Sequence, residues 1–342
     1  MSLPVIREAK LYKKGKSRSV SCCLCNNRCT IQPGEYGTCR TRQNRAGELV
    51  TLVYGNIQAL SHNPIEKKPL YHYFPGSRAL TIGTFGCNFT CPWCQNWSLS
   101  KSQPKPEETV FLSPKEAVIK ALTRGDKGVS VSFNEPTLLY EYSLDLFHSA
   151  KKSSLYCCYV TNGYMTEEAM KELFKAGLTG LSVNVKGDSH SVRKYCSANV
   201  EKVWENIALA KELGIHVEII NLVIPGVNDR EEVFQEISIK TKAIDPEMPV
   251  HFTRYHPDWQ FRNPPTLVAT LEKAHRIAHD HGLNFVYIGN VHGHPLENTY
   301  CPTCNMLLIS RTIFGFQKWH LTRENKCPQC SRKIPITGKF QN

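Results

Sequence analysis

The sequence predicts an α/β fold in which a complete or partial parallel β/α barrel is flanked by a cysteine-rich module on each side. Within residues 76–298, short β-branched runs alternate with helix-like stretches. Connections of about ten to fifteen residues indicate parallel βαβ units rather than hairpins. Fifteen cysteines fall mostly into three clusters, one in this core and one in each flank. An open, doubly wound sheet is the competing arrangement of the same elements.

Local signals predict the elements of this core in order. Ser113 is typical of a helix N-cap, Thr166 opens a helix that Gly177 ends, Gly214 closes the next helix, and Asp229 opens another. The predicted strands are Ala79–Thr84, Val129–Phe133, Leu155–Thr161, Leu178–Val185, Ile215–Val223, Val250–Arg254 and Asn284–Ile288.

Charge divides the chain into three segments within a net charge of +12. Residues 1–75 carry twelve Lys/Arg against four Asp/Glu, and residues 299–342 carry seven against one, whereas residues 76–298 are slightly acidic. The basic flanks suit nucleic acid or an acidic partner, or they compensate negative thiolate–metal sites. Nucleic acid is less favoured, because no aromatic–basic stripe accompanies the charge. We predict an N-terminal cysteine-rich, basic module (1–75), a barrel core (76–298) and a C-terminal zinc-ribbon-like module (299–342).

Composition argues against several classes of protein. The 41% apolar content is sufficient for a packed core, and no apolar run approaches eighteen residues, so no membrane-spanning helix is predicted. No secretory signal is visible at the N-terminus, and we therefore expect a cytoplasmic protein with reduced thiols. Clustered cysteines in that compartment indicate metal binding or catalysis rather than disulfides.

The cysteines of the core form the most specific motif. Cys87, Cys91 and Cys94 have C-x3-C-x2-C spacing after the first core strand, at the end where β/α folds place active sites. Three thiolates in one loop can hold three corners of a [4Fe–4S] cube, and no fourth cysteine follows nearby. The remaining iron would be open to a ligand. Gly83 and Gly86 permit the close backbone approach that such a loop requires. A zinc loop or three unligated thiols are the alternatives.

This motif, with Trp93 before its last cysteine, resembles the signature of radical S-adenosylmethionine (SAM) enzymes. Further segments follow successive strands in an order similar to that of the enzymes that activate pyruvate formate-lyase: Asn134–Pro136, Thr161–Tyr164, Asn184–Gly187, Asn221–Asp229 and Arg254–Pro257. Over the whole chain, the sequence more closely resembles the AmmeMemoRadiSam system radical SAM enzyme family, through Pro64–His72, Asn134–Thr137, Tyr287–Asn290 and Glu297–Pro302.

The resemblance implies a radical SAM barrel and its mechanism. Cys87, Cys91 and Cys94 would hold a [4Fe–4S] cluster whose open iron chelates SAM. One electron would cleave SAM to methionine and a 5′-deoxyadenosyl radical, which abstracts hydrogen from the substrate. The resemblance assigns a catalytic role to Glu135, although the family's two preceding glycines are missing here. The residues expected to contact SAM are Trp93, Asn134, Glu135, Asn162, Lys186 and His256. The alternatives are that Trp93 packs in the core, that the asparagines shape their loops, that Lys186 is solvated and that His256 belongs to a substrate loop.

The flanking cysteines predict two further metal sites. Cys301, Cys304, Cys327 and Cys330 form two C-x2-C pairs that can complete a tetrahedral zinc ribbon, with rubredoxin-like iron as the alternative. Near the N-terminus, Cys22, Cys25, Cys29 and Cys39 suit structural zinc or an auxiliary iron–sulfur cluster. Zinc is favoured there because no aromatic or glycine frame marks a second redox site. The spacing does not decide between Cys22 and Cys23 as the first ligand.

Three functional hypotheses follow. The first is an activase-like radical SAM enzyme acting on a protein or peptide, the second is an RNA- or tRNA-modifying radical SAM enzyme, and the third is a non-catalytic metal-binding scaffold that docks partners. The expected partners are SAM, an unknown protein or peptide substrate, Memo-like and AMMECR-like proteins implied by the family resemblance, and a reductant such as flavodoxin or ferredoxin. No membrane partner is expected.

Overall fold

The N-terminal segment forms small antiparallel sheets around its cysteines. The computed structural model describes residues 4–105, 107, 109, 111–312 and 315–339. Strands β1, β6 and β5 form one three-stranded sheet, and β2, β3 and β4 form another. Their bounds are Arg7–Glu8 (β1), Tyr12–Lys14 (β2), Val20–Cys22 (β3), Thr30–Ile31 (β4), Arg42–Arg45 (β5) and Glu48–Thr51 (β6).

An eight-stranded sheet forms the core. Its strands are Ala59–Pro64 (β7), Arg78–Gly83 (β8), Gly128–Val131 (β9), Tyr156–Thr161 (β10), Leu178–Asn184 (β11), His216–Val223 (β12), Val250–Arg254 (β13) and Val286–Gly289 (β14). All seven predicted core strands are present, with ends displaced by at most two residues. The remaining strand, β7, was not predicted; it pairs antiparallel with β8 at the sheet edge.

Helices follow the strands in alternation. They are Trp97–Ser100 (α1), Pro114–Thr123 (α2), Tyr140–Lys152 (α3), Glu167–Ala176 (α4), Ser189–Cys196 (α5), Val200–Glu212 (α6), Glu231–Ile244 (α7) and Val268–Asp280 (α8). Adjacent helices pack together: α2 contacts α3, α3 contacts α4, and α7 contacts α8.

Strand order distinguishes the two predicted arrangements. The sheet runs β7 to β14 in strictly sequential order, and β8 to β14 are all parallel. A doubly wound sheet would reverse its order at a switch point, so this alternative is wrong. Right-handed crossovers of one sense place the helices on one face. The core is therefore a partial β/α barrel whose other face is available to line a cavity.

Most of the predicted helix boundaries are confirmed. Ser113 accepts a hydrogen bond from the Glu116 backbone, and the Glu116 carboxylate accepts one from the Ser113 N–H, completing a capping box. Thr166 caps α4, and Gly177, at φ +128°, ends it. Asp229 does not cap α7: the N-cap is Arg230, and the Asp229 carboxylate accepts from the Gly226 N–H in the preceding turn.

A segment of residues 65–77, here called the strap, connects β7 to β8 across the N-terminal ends of the parallel strands. Its Tyr71 and His72 backbone N–H groups donate to the buried Glu218 carboxylate of β12, over 2.9 and 2.7 Å. His216 and His251 hydrogen-bond to the same carboxylate. These hydrogen bonds lower the pKa of Glu218 although burial opposes them. The strap therefore closes this end of the barrel.

The C-terminal segment packs against the strap. Its antiparallel strands are Thr299–Tyr300 (β15), Leu307–Thr312 (β16) and Gly315–Trp319 (β17). Arg311 lies over the Tyr71 ring, 4.2 Å from its centroid, and donates to the Tyr71 carbonyl oxygen. The C-terminal cysteines are thus attached at the end of the barrel opposite the loop of Cys87, Cys91 and Cys94. Within the described ranges, no helix is long and apolar enough to cross a membrane.

Candidate active site

The central cysteines lie on the loop that follows β8, at the C-terminal end of the parallel sheet. Two glycines allow this loop to pack closely. A Cβ on Gly83 would lie 2.7 Å from the Ser132 carbonyl oxygen, and one on Gly86 would lie 2.7 Å from the Cys39 carbonyl oxygen. Gly86 also has φ +84°, which disfavours other residues. The predicted need for glycine at both positions is consistent with these contacts.

Cys87, Cys91 and Cys94 line one cavity of about 530 Å³, which extends along the inner face of the barrel. Burial raises the pKa of the Cys87 thiol. A hydrogen bond from the Cys196 thiol lowers the pKa of Cys91 to about 6. The cavity brings these thiols together with the ends of β8, β9, β10 and β11.

Glu135 is buried in the same wall, directly after β9. Its carboxylate accepts hydrogen bonds from the Asn162 N–H at 2.9 Å, the Thr137 N–H at 3.1 Å and the hydroxyls of Thr137 and Thr161. Burial raises the pKa of Glu135, and these donors counteract part of that effect. The carboxylate is therefore held in one orientation beside the cysteine loop.

Asn134 fixes the backbone of the cysteine loop. Its side-chain oxygen accepts from the Thr84 N–H at 3.0 Å, and its amide nitrogen donates to the carbonyl oxygens of Phe85 and Gly86 at 3.1 and 2.9 Å. Asn162 donates to the Asn88 side chain over 2.7 Å and accepts from the Tyr164 N–H. Both asparagines line the cavity while shaping the surrounding loops.

Of the remaining residues predicted to contact SAM, two line the cavity and one lies at its rim. Trp93 lines the cavity and packs against Tyr195 and Phe261, each with ring centroids 5.5 Å away. Its indole Nε1 is buried without a hydrogen-bond partner among the described residues. Lys186 also lines the cavity. His256 is exposed and lies at the rim, 2.8 Å from the Gln95 side chain.

Comparison with known proteins identifies the family. The family model described as Radical SAM superfamily matches residues 81–237, which include the cysteine loop and Glu135. An uncharacterised protein of Methanocaldococcus jannaschii is 39% identical over 334 residues, covering 97% of this chain and 99% of its own. The chain belongs to the radical SAM superfamily. Membership supports an enzyme and implies a [4Fe–4S] cluster and SAM as its cofactors.

Two further radical SAM comparisons are more distant. A second protein of M. jannaschii, provisionally named a glycyl-radical enzyme activating enzyme, is 24% identical over 189 residues, covering 54% of this chain and 67% of its own. The crystal structure of Streptococcus suis SuiB bound to S-adenosylmethionine has a TM-score of 0.51 at 13% identity, over 66% of this chain and 55% of that one. The likeness to SuiB shows a common fold.

The residues of this radical SAM chain fit the two cofactors. Cys87, Cys91 and Cys94 provide three thiol ligands on the wall of one cavity, the donor set of an iron–sulfur cluster. In the same cavity, Glu135 and Lys186 offer charges for the amino and carboxylate groups of SAM. The unpartnered indole N–H of Trp93 is a further donor available to a bound molecule.

The C-terminal cysteines form a compact site. The Sγ atoms of Cys301, Cys304, Cys327 and Cys330 all lie within 4.8 Å of one another. Individual separations are 3.4 Å between Cys301 and Cys330 and 3.6 Å between Cys304 and Cys327. A tetrahedron of Zn–S bonds of about 2.3 Å places sulfurs about 3.8 Å apart. The quartet therefore suits a single zinc ion.

The N-terminal cysteines lie next to the central loop. The Cys22 N–H donates to the Cys29 carbonyl oxygen over 2.9 Å, whereas the Cys23 N–H donates to the Leu11 carbonyl oxygen and its thiol hydrogen-bonds to the Ser21 carbonyl oxygen at 3.6 Å. This placement favours Cys22 as the first ligand. Burial raises the pKa of the Cys25 thiol to about 12. The Asn27 side chain reaches the central loop at the Asn88 carbonyl oxygen, over 3.0 Å.

Sequence reasoning missed two residues near this site. Cys196, at the end of α5, places its Sγ 3.4 Å from that of Cys91, although 105 residues separate them. Lys68, in the strap, lines the same cavity from its closed end. Lys68 belongs to a segment that carried the family resemblance, but no local spacing signalled its position. A larger cavity, of about 820 Å³, lies at the N-terminal ends of strands β10 to β13, away from the cysteine loop.

Proposed function

We propose that this radical SAM enzyme is of the activating type and abstracts hydrogen from a protein or peptide. The observation that carries the proposal is the cavity in which the three cysteines and Glu135 lie together. The provisional name of the M. jannaschii relative, a glycyl-radical enzyme activating enzyme, supports a protein substrate.

The residues that line the cavity would have separate roles. Cys87, Cys91 and Cys94 would hold the cluster, while Glu135 and Lys186 would orient SAM through its amino and carboxylate groups. Held by these cysteines, a reduced cluster would supply the one electron needed to cleave SAM to methionine and a 5′-deoxyadenosyl radical. Trp93 and its aromatic neighbours limit access of water to the cavity.

The rim of the cavity supports a macromolecular substrate. Gln95 and Asn96 line the cavity mouth, and Trp97, the next residue, is 45% exposed on α1. Exposed tryptophans are enriched among the residues that contribute most to protein–protein binding. A peptide crossing the mouth would contact Trp97 while one residue enters the cavity.

The proposal extends to partners and location. Membership of the AmmeMemoRadiSam family would associate the chain with Memo-like and AMMECR-like proteins. The basic N-terminal module, which adjoins the cysteine loop through Asn27 and Asn88, suits docking of an acidic reductant such as flavodoxin or ferredoxin. Reduced thiols and an oxygen-sensitive cluster suit the cytoplasm.

Anaerobic activity measurements test the proposal. Protein purified without oxygen and reconstituted with iron and sulfide should form 5′-deoxyadenosine from SAM and dithionite. Cys91→Ala should abolish this reaction, whereas Cys157→Ala, which removes a buried thiol of β10, should retain it.

The substrate class is tested with cell extract. Addition of the fraction above 10 kDa to assays in deuterated water should accelerate 5′-deoxyadenosine formation and leave a protein radical detectable by electron paramagnetic resonance. Stimulation only by RNA, or only by the small-molecule fraction, would overturn the protein substrate while retaining radical SAM chemistry.

A further inference from the structure

The closed end of the cavity contains a buried lysine. The strap that spans the N-terminal ends of the strands directs Lys68 into the cavity that Cys87 and Glu135 line at its other end. Only 4% of Lys68 is exposed. Its backbone N–H bonds to the Ile65 carbonyl oxygen, which anchors the residue in the turn after the short 3-10 helix Ile65–Lys67.

Among the described residues, the side chain of Lys68 is buried and its ammonium group makes no hydrogen bond or ion pair. The charged or titratable groups facing it are the Cys158 thiol, the Lys67 ammonium and the Asp126 carboxylate. The Oδ2 atom of Asp126 is paired with His62 at 2.5 Å, whereas its Oδ1 atom has no hydrogen-bond partner among the described residues. Burial lowers the pKa of Lys68 to about 8, so the group remains largely protonated at pH 7. An unpaired buried cation is costly unless an anion joins it.

The adjoining strands supply further polar side chains. Ser132, Asn184 and Thr81 line the cavity. Because side chains two residues apart share a face, Ser182 faces the same way as Asn184. The Ser182 hydroxyl and the Asn184 side-chain oxygen are buried without partners among the described residues. Small polar side chains around one lysine form a pocket for a polar group rather than an apolar core.

We propose that Lys68 binds an anionic group of the substrate, a carboxylate or a phosphate, at the closed end of the cavity. This inference rests on the proposed function, since it treats the cavity as the place where a substrate meets SAM. The cysteines, Glu135 and Lys186 occupy the end that would hold the cluster and SAM. The substrate would then be held between SAM and Lys68, with its anion paired to the ammonium and its reactive carbon toward the cysteine loop.

Anion binding to the reconstituted, SAM-loaded protein tests this assignment. Succinate and inorganic phosphate are titrated at constant ionic strength, and the dissociation constant is obtained by calorimetry and from the rise in melting temperature. At least one of the two anions should bind saturably. Lys68→Met should weaken its affinity at least tenfold, and Lys68→Arg, which retains the charge, should weaken it less. Lys115→Met, at an exposed lysine on α2, is the matched control and should bind as wild type.

The two anions distinguish the sources of the charge. Succinate binding indicates a carboxylate substrate, and phosphate binding indicates a phosphorylated one. Equal affinity in wild type and Lys68→Met, or no saturable binding by wild type, overturns the inference. A single melting transition in both Lys68→Met and Lys68→Arg shows that a loss of affinity is not caused by unfolding. If the protein binds an anion through Lys68 but forms no 5′-deoxyadenosine, the proposed function is contradicted and this inference is not. If it forms 5′-deoxyadenosine but its anion binding does not depend on Lys68, this inference is contradicted and the proposed function is not.

Discussion

The thiol of Cys196 lies 3.4 Å from the thiol of Cys91, a residue of the C-x3-C-x2-C loop. The contact joins the end of α5 to the loop after β8, and both thiols are buried. Of the three loop cysteines, Cys91 is the one with this partner among the described residues. A buried thiol beside a cluster ligand becomes important when the cluster is lost, because two such thiols can then be oxidised to a disulfide.

Cluster-free protein exposed to air should therefore form a Cys91–Cys196 disulfide. The sulfurs need to approach from 3.4 Å to about 2.05 Å, and dissolved oxygen accepts the two electrons. Peptide mapping by mass spectrometry should detect the cross-link in wild type. Cys196→Ala should recover iron on reconstitution after air exposure without a reducing agent, whereas Cys157→Ala should need the reducing agent as wild type does. Equal recovery in all three proteins would contradict the prediction.

The N-terminal cysteines predict a contrast between neighbouring residues. Cys22 pairs through its backbone N–H with the Cys29 carbonyl oxygen, while the Cys23 thiol hydrogen-bonds to the backbone of Ser21. Cys22→Ser should lose the metal of this module, and Cys23→Ser should retain it. Metal analysis measures the loss, and Mössbauer spectroscopy distinguishes an auxiliary iron–sulfur cluster from zinc. Metal loss from Cys23→Ser with full retention in Cys22→Ser would reverse the assignment of the first ligand.

The C-terminal quartet predicts a local rather than global response to metal removal. Four sulfurs within 4.8 Å of one another could hold one zinc ion, and a segment this short would fold chiefly through its metal. Cys330→Ser should lower zinc by one ion per chain and accelerate amide hydrogen exchange in β15 to β17. Strands β8 to β14 should keep wild-type protection. Faster exchange throughout the barrel would show that the module supports the core as well.

Local patterns were sufficient to predict the core strands and the cysteine loop. A few neighbouring residues are enough to recognise a β-branched strand such as Val250–Arg254. The same holds for the closely spaced Cys87, Cys91 and Cys94. Contacts between distant segments had no such signal. The Cys91–Cys196 contact spans 105 residues, and the bond from the Tyr71 N–H to Glu218 spans 147. Both depend on the closure of the barrel, which one-dimensional spacing does not encode.

Strand β7 is another element that local sequence patterns did not predict. Its residues Ala59–Pro64 include Ser61, His62 and Asn63, and the strand is antiparallel to an otherwise parallel sheet. Neither its composition nor the βαβ pattern predicts it. Pairing with β8 nevertheless positions the strap, and therefore Lys68, at the closed end of the cavity.

Removal of the Asn134 side chain should reduce cluster occupancy. Its amide makes three hydrogen bonds to the backbone of Thr84, Phe85 and Gly86, and buried groups left unpaired each cost about 1–3 kcal/mol. Asn134→Ala should therefore loosen the cysteine loop and lower iron content after reconstitution. Asn206→Ala removes two buried hydrogen bonds from α6, far along the chain from the loop, and should lose stability without losing iron. Equal iron content in both variants would argue against a loop-fixing role.

The closed end of the barrel predicts destabilisation by acid. His72 is fully buried, and its Nε2 lies 2.7 Å from the Tyr287 hydroxyl. Burial lowers the pKa of His72 to about 3, below the value of about 6.5 in an unfolded chain. Between these values the unfolded state binds the extra proton, so the free energy of unfolding falls as pH decreases. One proton contributes about 1.4 kcal/mol per pH unit, or about 2 kcal/mol between pH 6 and 4.5.

Two other groups act in the same direction. The pKa of His275 is lowered to about 4 by burial, so it adds to the loss over the same range. The pKa of Glu218 is lower in the folded protein than in the unfolded chain, so ionised Glu218 stabilises the fold at pH values above its unfolded pKa. This stabilisation is lost as the pH falls through and below about 4.5. Urea unfolding between pH 7.5 and 4.5 should therefore show a slope that His72→Phe reduces by about one proton. His190→Phe, at an exposed position, should keep the wild-type slope. An unchanged slope in His72→Phe would mean that the strap opens and admits water before the barrel unfolds.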